Sequence, residues 1–312
     1  MQTKNIISVA AMVASFAGVA FAGTSAKIAA PTPVPAPAPI ASPLSGNVHV
    51  GYATNYTCRG LVASHALVEG DSVIPVGVDL NYKLNEANSI VASASYTSLT
   101  SGHDLLGIEG CSFHNETDLK LGWQNKGGLI DNLSTTVGWN LIHGGLLGVY
   151  SRTDFSELGY NGCGHKNAHS VTQEFYLNLN YDVNQNWFAG ITTSYGFQGN
   201  TGWWFQPYVG YKAALCPAAD IVVTAGMSAT ASYFDAKSDL LGVVGQANGA
   251  QAWWVKLEVP VKTGVKNLSV IPFVSFNWAG CGALKINKVA PSGLDPYKNF
   301  GVVAGANLVY TF

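Results

Sequence analysis

The final segment of the chain, residues 300–312, alternates between apolar side chains and small or polar ones. The apolar set is Phe300, Val302, Ala304, Ala306, Leu308, Tyr310 and Phe312, and between these stand Gly301, Val303, Gly305, Asn307, Val309 and Thr311. A β-strand has a side-chain period of two, so the segment presents an apolar stripe on one face and a small, mostly polar stripe on the other. Such a strand needs an apolar medium on one side and a wet medium on the other.

The same segment ends on an aromatic residue, Phe312, which follows Leu308 and Tyr310 on the apolar face. In these residues it resembles the terminal strand of bacterial outer-membrane β-barrels, where the motif is read by the barrel-assembly machinery. The resemblance implies a transmembrane barrel, with the assembly machinery as its partner during folding.

The beginning of the chain has the pattern of a secretory signal. Lys4 precedes an apolar run over residues 6–19, and the run closes on Ala-Phe-Ala before Gly23. A small-x-small pattern at this position predicts a signal peptide over residues 1–22. A transmembrane anchor is the alternative, but the run is short and a cleavage site stands where an anchor would continue. We therefore expect export, with the mature chain starting near Gly23.

Residues 23–44 include a stretch in which proline often occupies every second position. Proline lacks the N–H that a strand needs, so this stretch is expected to form an extended, polyproline-like tether. The sequence thus predicts a periplasmic linker over residues 23–44 and a barrel over residues 45–312.

The chain is poor in charge. Charged residues make up 11% of it, whereas soluble domains contain about a quarter. No apolar run after the signal peptide reaches the length of a membrane helix. The net charge of −2 is weak and implies neither a nucleic-acid partner nor an anionic lipid surface.

Windows of alternating polarity, separated by turn residues, predict an all-β, transmembrane, antiparallel up-and-down β-barrel of about 12 strands. The windows are residues 48–58, 74–84, 90–97, 113–123, 133–141, 171–181, 187–197, 203–211, 223–233, 253–259, 268–278 and 300–312. Most short connections alternate with long ones, which is typical of periplasmic turns and external loops. A secreted antiparallel sandwich would also give alternation, but it would not explain the low charge.

Charged side chains indicate which face of each window is wet. A charge on the lipid face near mid-membrane costs about 2–4 kcal/mol, while a charge in a wet interior costs little. The charged residues lie opposite the apolar set of their windows. We therefore predict a lumen lined by Arg59, Asp79, Lys83, His114, Glu116, Asp118, Lys120, Glu174, Lys212, Lys256 and Glu258.

Aromatic residues on the apolar faces are expected at two levels, as girdles at the two membrane interfaces. The external set is Tyr56, Tyr96, Phe197, Trp203, Tyr233, Trp253, Trp278 and Phe300, and the periplasmic set is Tyr82, Trp123, Tyr181, Trp187, Tyr211, Tyr310 and Phe312. Pro75, Pro207 and Pro272 fall inside strand windows, where we expect bulges because proline cannot donate to a ladder.

Four cysteines fall in the external half of the predicted topology, and exported thiols meet oxidising conditions. These disulfide candidates are Cys58, Cys111, Cys163 and Cys281. They allow three pairings, of which we favour Cys111 with Cys163 and Cys58 with Cys281, leaving Cys216 as a lone thiol. Histidines beside Cys163 offer a soft-metal site as an alternative, but a disulfide-bonded sulfur is lost as a ligand, so no metal is predicted.

The sequence carries no Gly-x-Ser-x-Gly, His-Glu-x-x-His or Walker motif. His114, Glu116 and Asp118 share a face and offer acid–base chemistry, but lumen ion pairs with residues such as Lys120 explain them as well. We predict a protein that is not an enzyme and has no cofactor, with an outer-membrane hydrolase as the alternative.

The segment Gly51 to Ser64 carries Tyr56, Arg59 and Gly60 in the spacing Tyr-x-x-Arg-Gly. It resembles the opening segment of the Gcw-chp family of uncharacterised bacterial outer-membrane β-barrel proteins, although Thr-Asn replaces the usual Ser-Asp before the tyrosine. The resemblance implies a barrel and no particular substrate. An arginine at the external mouth would attract anionic solutes or hold an external loop through a carboxylate.

Together these features predict a monomer in the outer membrane of a Gram-negative-type bacterium, in contact with membrane lipid. Eight strands enclose packed side chains and sixteen leave a pore, so about twelve favour a narrow passive channel for small polar solutes. Small inward residues would leave room for water: Gly51, Ala53, Gly77, Ser93, Ser95, Gly122, Ser134, Gly138, Gly190, Ser194, Gly196, Gly210, Gly226, Ser228 and Gly305. The alternative is a structural or adhesive barrel that binds ligands through disulfide-braced external loops, above all residues 142–169.

Overall fold

Main-chain pairing closes the sheet of this protein on itself. The computed structural model describes residues 42–62, 72–99, 116–143, 171–198, 201–234, 248–284 and 298–312. The strands are β1 (Leu44–Ala53), β2 (Thr57–Cys58), β3 (Leu61–Val62), β4 (Val73–Lys83), β5 (Asn88–Leu99), β6 (Glu116–Lys126), β7 (Leu133–His143), β8 (Val171–Asp182), β9 (Trp187–Gln198), β10 (Thr201–Cys216), β11 (Ala219–Phe234), β12 (Gly249–Glu258), β13 (Val261–Lys262), β14 (Leu268–Ala279) and β15 (Phe300–Thr311). The predicted signal peptide and most of the predicted linker lie outside the described residues.

The result is a closed, 12-strand antiparallel barrel, as the alternating windows predicted. Strands that follow one another along the chain pair as neighbours, and β12 and β13 together make one barrel strand because both pair with β11 and β14. The short strands β2 and β3 form a separate hairpin. No helix among the described residues is long and apolar enough to cross a membrane.

The first and last barrel strands meet at one seam. β1 pairs with β15 from Asn47 opposite Thr311 to Ala53 opposite Gly305. The terminal residue extends this ladder, since Phe312 N donates to Gly46 O at 3.0 Å. The seam therefore leaves neither terminal strand as an open edge.

The outer face of the barrel is apolar. On β6, Leu119 and Leu121 are 41% and 55% exposed, while Lys120 between them lines a cavity inside the barrel. Outward aromatic rings pair near both ends of the barrel: Trp187 with Tyr211 at 5.0 Å, Tyr195 with Trp203 at 4.9 Å, and Trp278 with Phe300 at 5.4 Å between ring centroids. This is the distribution expected of aromatic girdles.

One predicted girdle residue is placed wrongly. Tyr56 is 5% exposed and donates its hydroxyl hydrogen bond to Glu116, so its ring lies inside the barrel. The first window, residues 48–58, is too long because β1 ends at Ala53. Just after β1, Thr54 Oγ1 accepts a hydrogen bond from Ala304 N at 3.0 Å. The side chain thus takes the place of a backbone acceptor, and the regular ladder ends there.

The three strand prolines do not mark bulges, contrary to the expectation. Each lies where one of its two ladders is interrupted while the register continues unchanged. The β1–β4 ladder skips Pro75, the β10–β11 ladder skips Pro207, and the β12–β13 break lies opposite Pro272. Each proline stays paired in register with its other neighbour. The missing N–H therefore coincides with a gap in pairing, and no extra residue is needed.

The apolar outer face makes a quantitative prediction. Leu121→Arg places a charge on the outer face at the middle of β6, and we expect the free energy of unfolding to fall by about 2–4 kcal/mol. Urea unfolding of the protein refolded into lipid vesicles measures this. Lys120→Arg, which places the same side chain on the inner face of the same strand, is the control and should leave stability nearly unchanged. Equal losses in both variants would contradict the assignment of the two faces.

Candidate functional site

The chain that follows β1 turns into the barrel. Residues 54–62, called here the lumen segment, include the β2–β3 hairpin and contact β6, β8, β10 and β14. Tyr56 reaches Glu116 on β6, and Arg59 reaches Glu174 on β8. These two contacts join residues that are 60 and 115 positions apart in the sequence. The segment thus connects the seam side of the barrel with β6 and β8.

The tip of the hairpin explains the Arg-Gly pair. Cys58 lies opposite Leu61, so Arg59 and Gly60 are the two central residues of the turn. Their φ angles of 52° and 85° are both positive, as a type I′ turn requires. Only glycine fits the second position, because a Cβ there would lie 2.6 Å from Trp254 Cε3. The turn therefore directs the Arg59 side chain toward the far wall.

Arg59 is fixed by a charge and by an aromatic ring. Its guanidinium donates to the Glu174 carboxylate, and the two side chains are 12% and 1% exposed. The guanidinium carbon also lies 4.7 Å from the ring centroid of Trp204, a cation–π contact that strengthens when water is excluded. Of the two roles considered for Arg59, the structure shows the one in which it holds a loop through a carboxylate.

Apolar contacts anchor the other arm of the hairpin. Leu61 is 5% exposed and packs in a cluster with Trp204, Ala252 and Ala283. Val62 is 2% exposed, and its carbonyl accepts a hydrogen bond from Lys298 N at 3.1 Å. The lumen segment is consequently held at its turn by a charge pair and at its end by burial.

Two cavities in the barrel interior are lined by residues that the structure describes. The first, about 370 Å³, lies toward the end with long connections and uses the lumen segment as part of its wall. Its lining is Ala53, Asn55, Tyr56, Thr57, Gly60, Val73, Pro75, Thr97, Glu116, Gln206, Trp254, Lys256, Phe273, Ser275, Asn277, Val303 and Asn307. The second, also about 370 Å³, lies toward the end with short turns and is lined by residues that include Asp79, Lys120 and Lys126.

Inward glycines hold aromatic rings against the wall. A Cβ at Gly122 would lie 2.6 Å from the Tyr176 hydroxyl oxygen, and one at Gly305 would lie 2.7 Å from Phe273 Cζ. The same relation joins Gly77 with His49, Gly138 with Tyr176, Gly190 with Tyr208, Gly210 with Phe188 and Gly226 with Trp254. The space beside these glycines is therefore not itself open to water, because it receives a ring from a nearby strand.

The structure locates the other residues predicted for the lumen. Asp79 Oδ2 lies 3.8 Å from His49 Nδ1, and Lys256 Nζ lies 2.8 Å from Glu258 Oε1. Asp118 lies on the inner side of β6, where its Oδ1 is buried. Lys83 and Lys212 are exposed near the short-turn ends of β4 and β10. His114 lies outside the described residues, so the His114, Glu116 and Asp118 cluster is not described as a whole.

Sequence reasoning missed the inward aromatic residues Trp204, Trp254 and Phe273. A signal for two of them was present, because Trp203-Trp204 and Trp253-Trp254 are adjacent pairs and neighbouring residues of a strand point to opposite faces. One ring of each pair therefore had to face inward. Phe273 has Lys256 Nζ 4.8 Å from its ring centroid.

The structure bears on one of the two expected disulfides, and the other stays a prediction. Cys216 and Cys281 are exposed and carry free thiols, so the expected bond from Cys281 to Cys58 is not formed in the structure. Cys111 and Cys163 lie outside the described residues, as does the side chain of Cys58.

Comparisons with known proteins agree on barrels at very low identity. No family model matches the sequence, and no curated protein matches it. The KdgM porin is similar over 86% of this chain and 99% of its own, with 8% identity and a TM-score of 0.42. An outer membrane channel from Pseudomonas putida F1 is similar over 86% and 95%, with 9% identity and a TM-score of 0.48. The translocator domain of the autotransporter NalP from Neisseria meningitidis is similar over 99% and 96%, with 10% identity and a TM-score of 0.41. Similarity at this level carries no argument about function.

The buried charge pair makes a second prediction. Removing one partner leaves the other charge buried, so Glu174→Ala should lower the free energy of unfolding by about 3–5 kcal/mol. The double variant Arg59→Ala with Glu174→Ala should lose less than the sum of the two single losses, because it leaves no charge behind. Unfolding of the four proteins of this cycle in urea gives the coupling energy, and Lys83→Ala, at an exposed charge, is the control. If the two single losses of unfolding free energy simply add in the double variant, Arg59 and Glu174 do not stabilise each other.

Proposed function

We propose that the protein is a narrow passive channel for small polar solutes in the outer membrane of a Gram-negative-type bacterium, with the lumen segment as its constriction. The observation that carries the proposal is the lumen segment itself, which is held across the barrel beside a cavity lined by both polar and apolar side chains. In a barrel of 12 strands, such a segment narrows the passage.

The outer face of the barrel supports the membrane location. Exposed apolar residues and paired aromatic rings suit contact with lipid acyl chains and with the two interfaces. At the closed seam the backbone hydrogen bonds of β1 and β15 are made within one chain, without a second protein chain. We therefore propose a monomer. Cleavage of the signal peptide after residue 22 and assembly through the C-terminal strand complete the proposal.

Two other functions stay predictions with their own tests. The adhesive alternative depends on residues 142–169, most of which lie outside the described residues, and deleting residues 144–167 should abolish adhesion while sparing folding. Unchanged adhesion would count against it. The hydrolase alternative depends on His114 and Glu116, and substituting either without loss of a detected activity would remove its best candidates.

Planar-bilayer recording tests the channel directly. We expect discrete conductance steps from the purified, folded protein, and larger steps from the double variant Arg59→Ala with Glu174→Ala, because the lumen segment loses the ion pair that holds its turn. Leu121→Met, on the outer face, is the control and should conduct like the natural protein. A folded protein that shows no steps above baseline would reject the channel.

A further inference from the structure

We propose that the cavity beside the lumen segment binds a small, uncharged saccharide. This inference deepens the proposed channel function by naming its solute class, and it rests on that function. The cavity volume of about 370 Å³ falls within the range of about 300–1,000 Å³ typical of small-molecule sites.

Charge in the cavity is balanced and already engaged. Among the described residues that line it, the charged ones are Glu116 and Lys256, one of each sign. Glu116 accepts a hydrogen bond from Tyr56, and Lys256 pairs with Glu258 at 2.8 Å. A charged solute entering here would lose hydration and would have to displace one of these contacts to reach a counter-charge, which is unfavourable. The cavity therefore favours an uncharged solute over an anion or a cation.

Amide side chains supply the polar contacts. Asn55, Gln206, Asn277 and Asn307 all line the cavity. A side-chain amide has two N–H donors and a carbonyl acceptor, which matches a hydroxyl group because a hydroxyl also donates and accepts. Asn55 and Asn277 already hydrogen-bond within the protein, so Gln206 and Asn307 are the principal contacts for a solute. Amides on different sides of one cavity thus suit a solute that carries more than one hydroxyl group.

Aromatic side chains supply apolar surface beside these amides. Trp254 and Phe273 are half-buried and line the same cavity. Aromatic rings offer large, rigid apolar area with a partially negative face, which suits the C–H groups of a sugar ring. A saccharide combines many hydroxyls, apolar C–H faces and no charge, and so matches all three properties of the cavity.

Calorimetric titration of the folded protein, in a detergent without a sugar headgroup, tests the assignment with three sugars of similar size. We expect glucose to bind at least about tenfold more tightly than glucuronate, which is anionic, or glucosamine, which is cationic, since about 1.4 kcal/mol of desolvation gives a factor of ten. Failure of glucose to bind, or binding of a charged sugar as tightly as glucose, would overturn the saccharide site.

Variants locate the binding. Gln206→Ala should weaken glucose binding about two- to tenfold through loss of hydrogen bonds, and Trp254→Phe should weaken it while keeping a ring in place. Trp253→Phe changes the neighbouring outward ring and should leave affinity unchanged. If neither inward variant weakens binding, the proposal is wrong about the site.

The two proposals fail separately. Glucose binding in a protein that shows no conductance steps would retain the saccharide site and overturn only the channel. Conductance without glucose binding would retain the channel and overturn only the saccharide site.

Discussion

The apolar exterior of this barrel depends on complete pairing of its backbone. In hydrocarbon an unpaired N–H or C=O costs several kcal/mol, so a sheet that faces lipid must close. The β1–β15 seam provides that closure, and the hydrogen bond from Phe312 to Gly46 carries it to the last residue. The prolines fit the same constraint, because each falls at a local gap in one ladder and keeps its partner in the other.

Closure of the sheet creates an interior, and the pairing of the strands alone does not determine which side chains fill it. Glycines and aromatic rings on neighbouring strands share space along the wall, as Gly138 does with Tyr176. The lumen segment then uses the room that remains. It is held by an ion pair and by buried apolar residues, so its position in the interior is fixed by contacts with low exposure.

Alternation and charge were sufficient to predict the architecture. A period of two is a local property, and the same parity that placed Leu121 outside placed Lys120 inside. Boundaries were less accurate where side chains compete with the ladder, as Thr54 does after β1. Tyr56 was assigned to the outer girdle because the alternation was extended past that point, although it faces Glu116.

By itself, the sequence determined the barrel, its approximate strand number and the identity of its two faces, since side-chain direction along a strand follows from covalent geometry. Arg59 and Gly60 were recognisable as a motif, but only the tertiary structure decided that they form the turn of an inward hairpin clamped to Glu174. That contact joins residues 115 positions apart. The Arg59–Glu174 contact forms because twelve strands curve around a common axis, and a local periodicity in the sequence does not encode which distant residues meet.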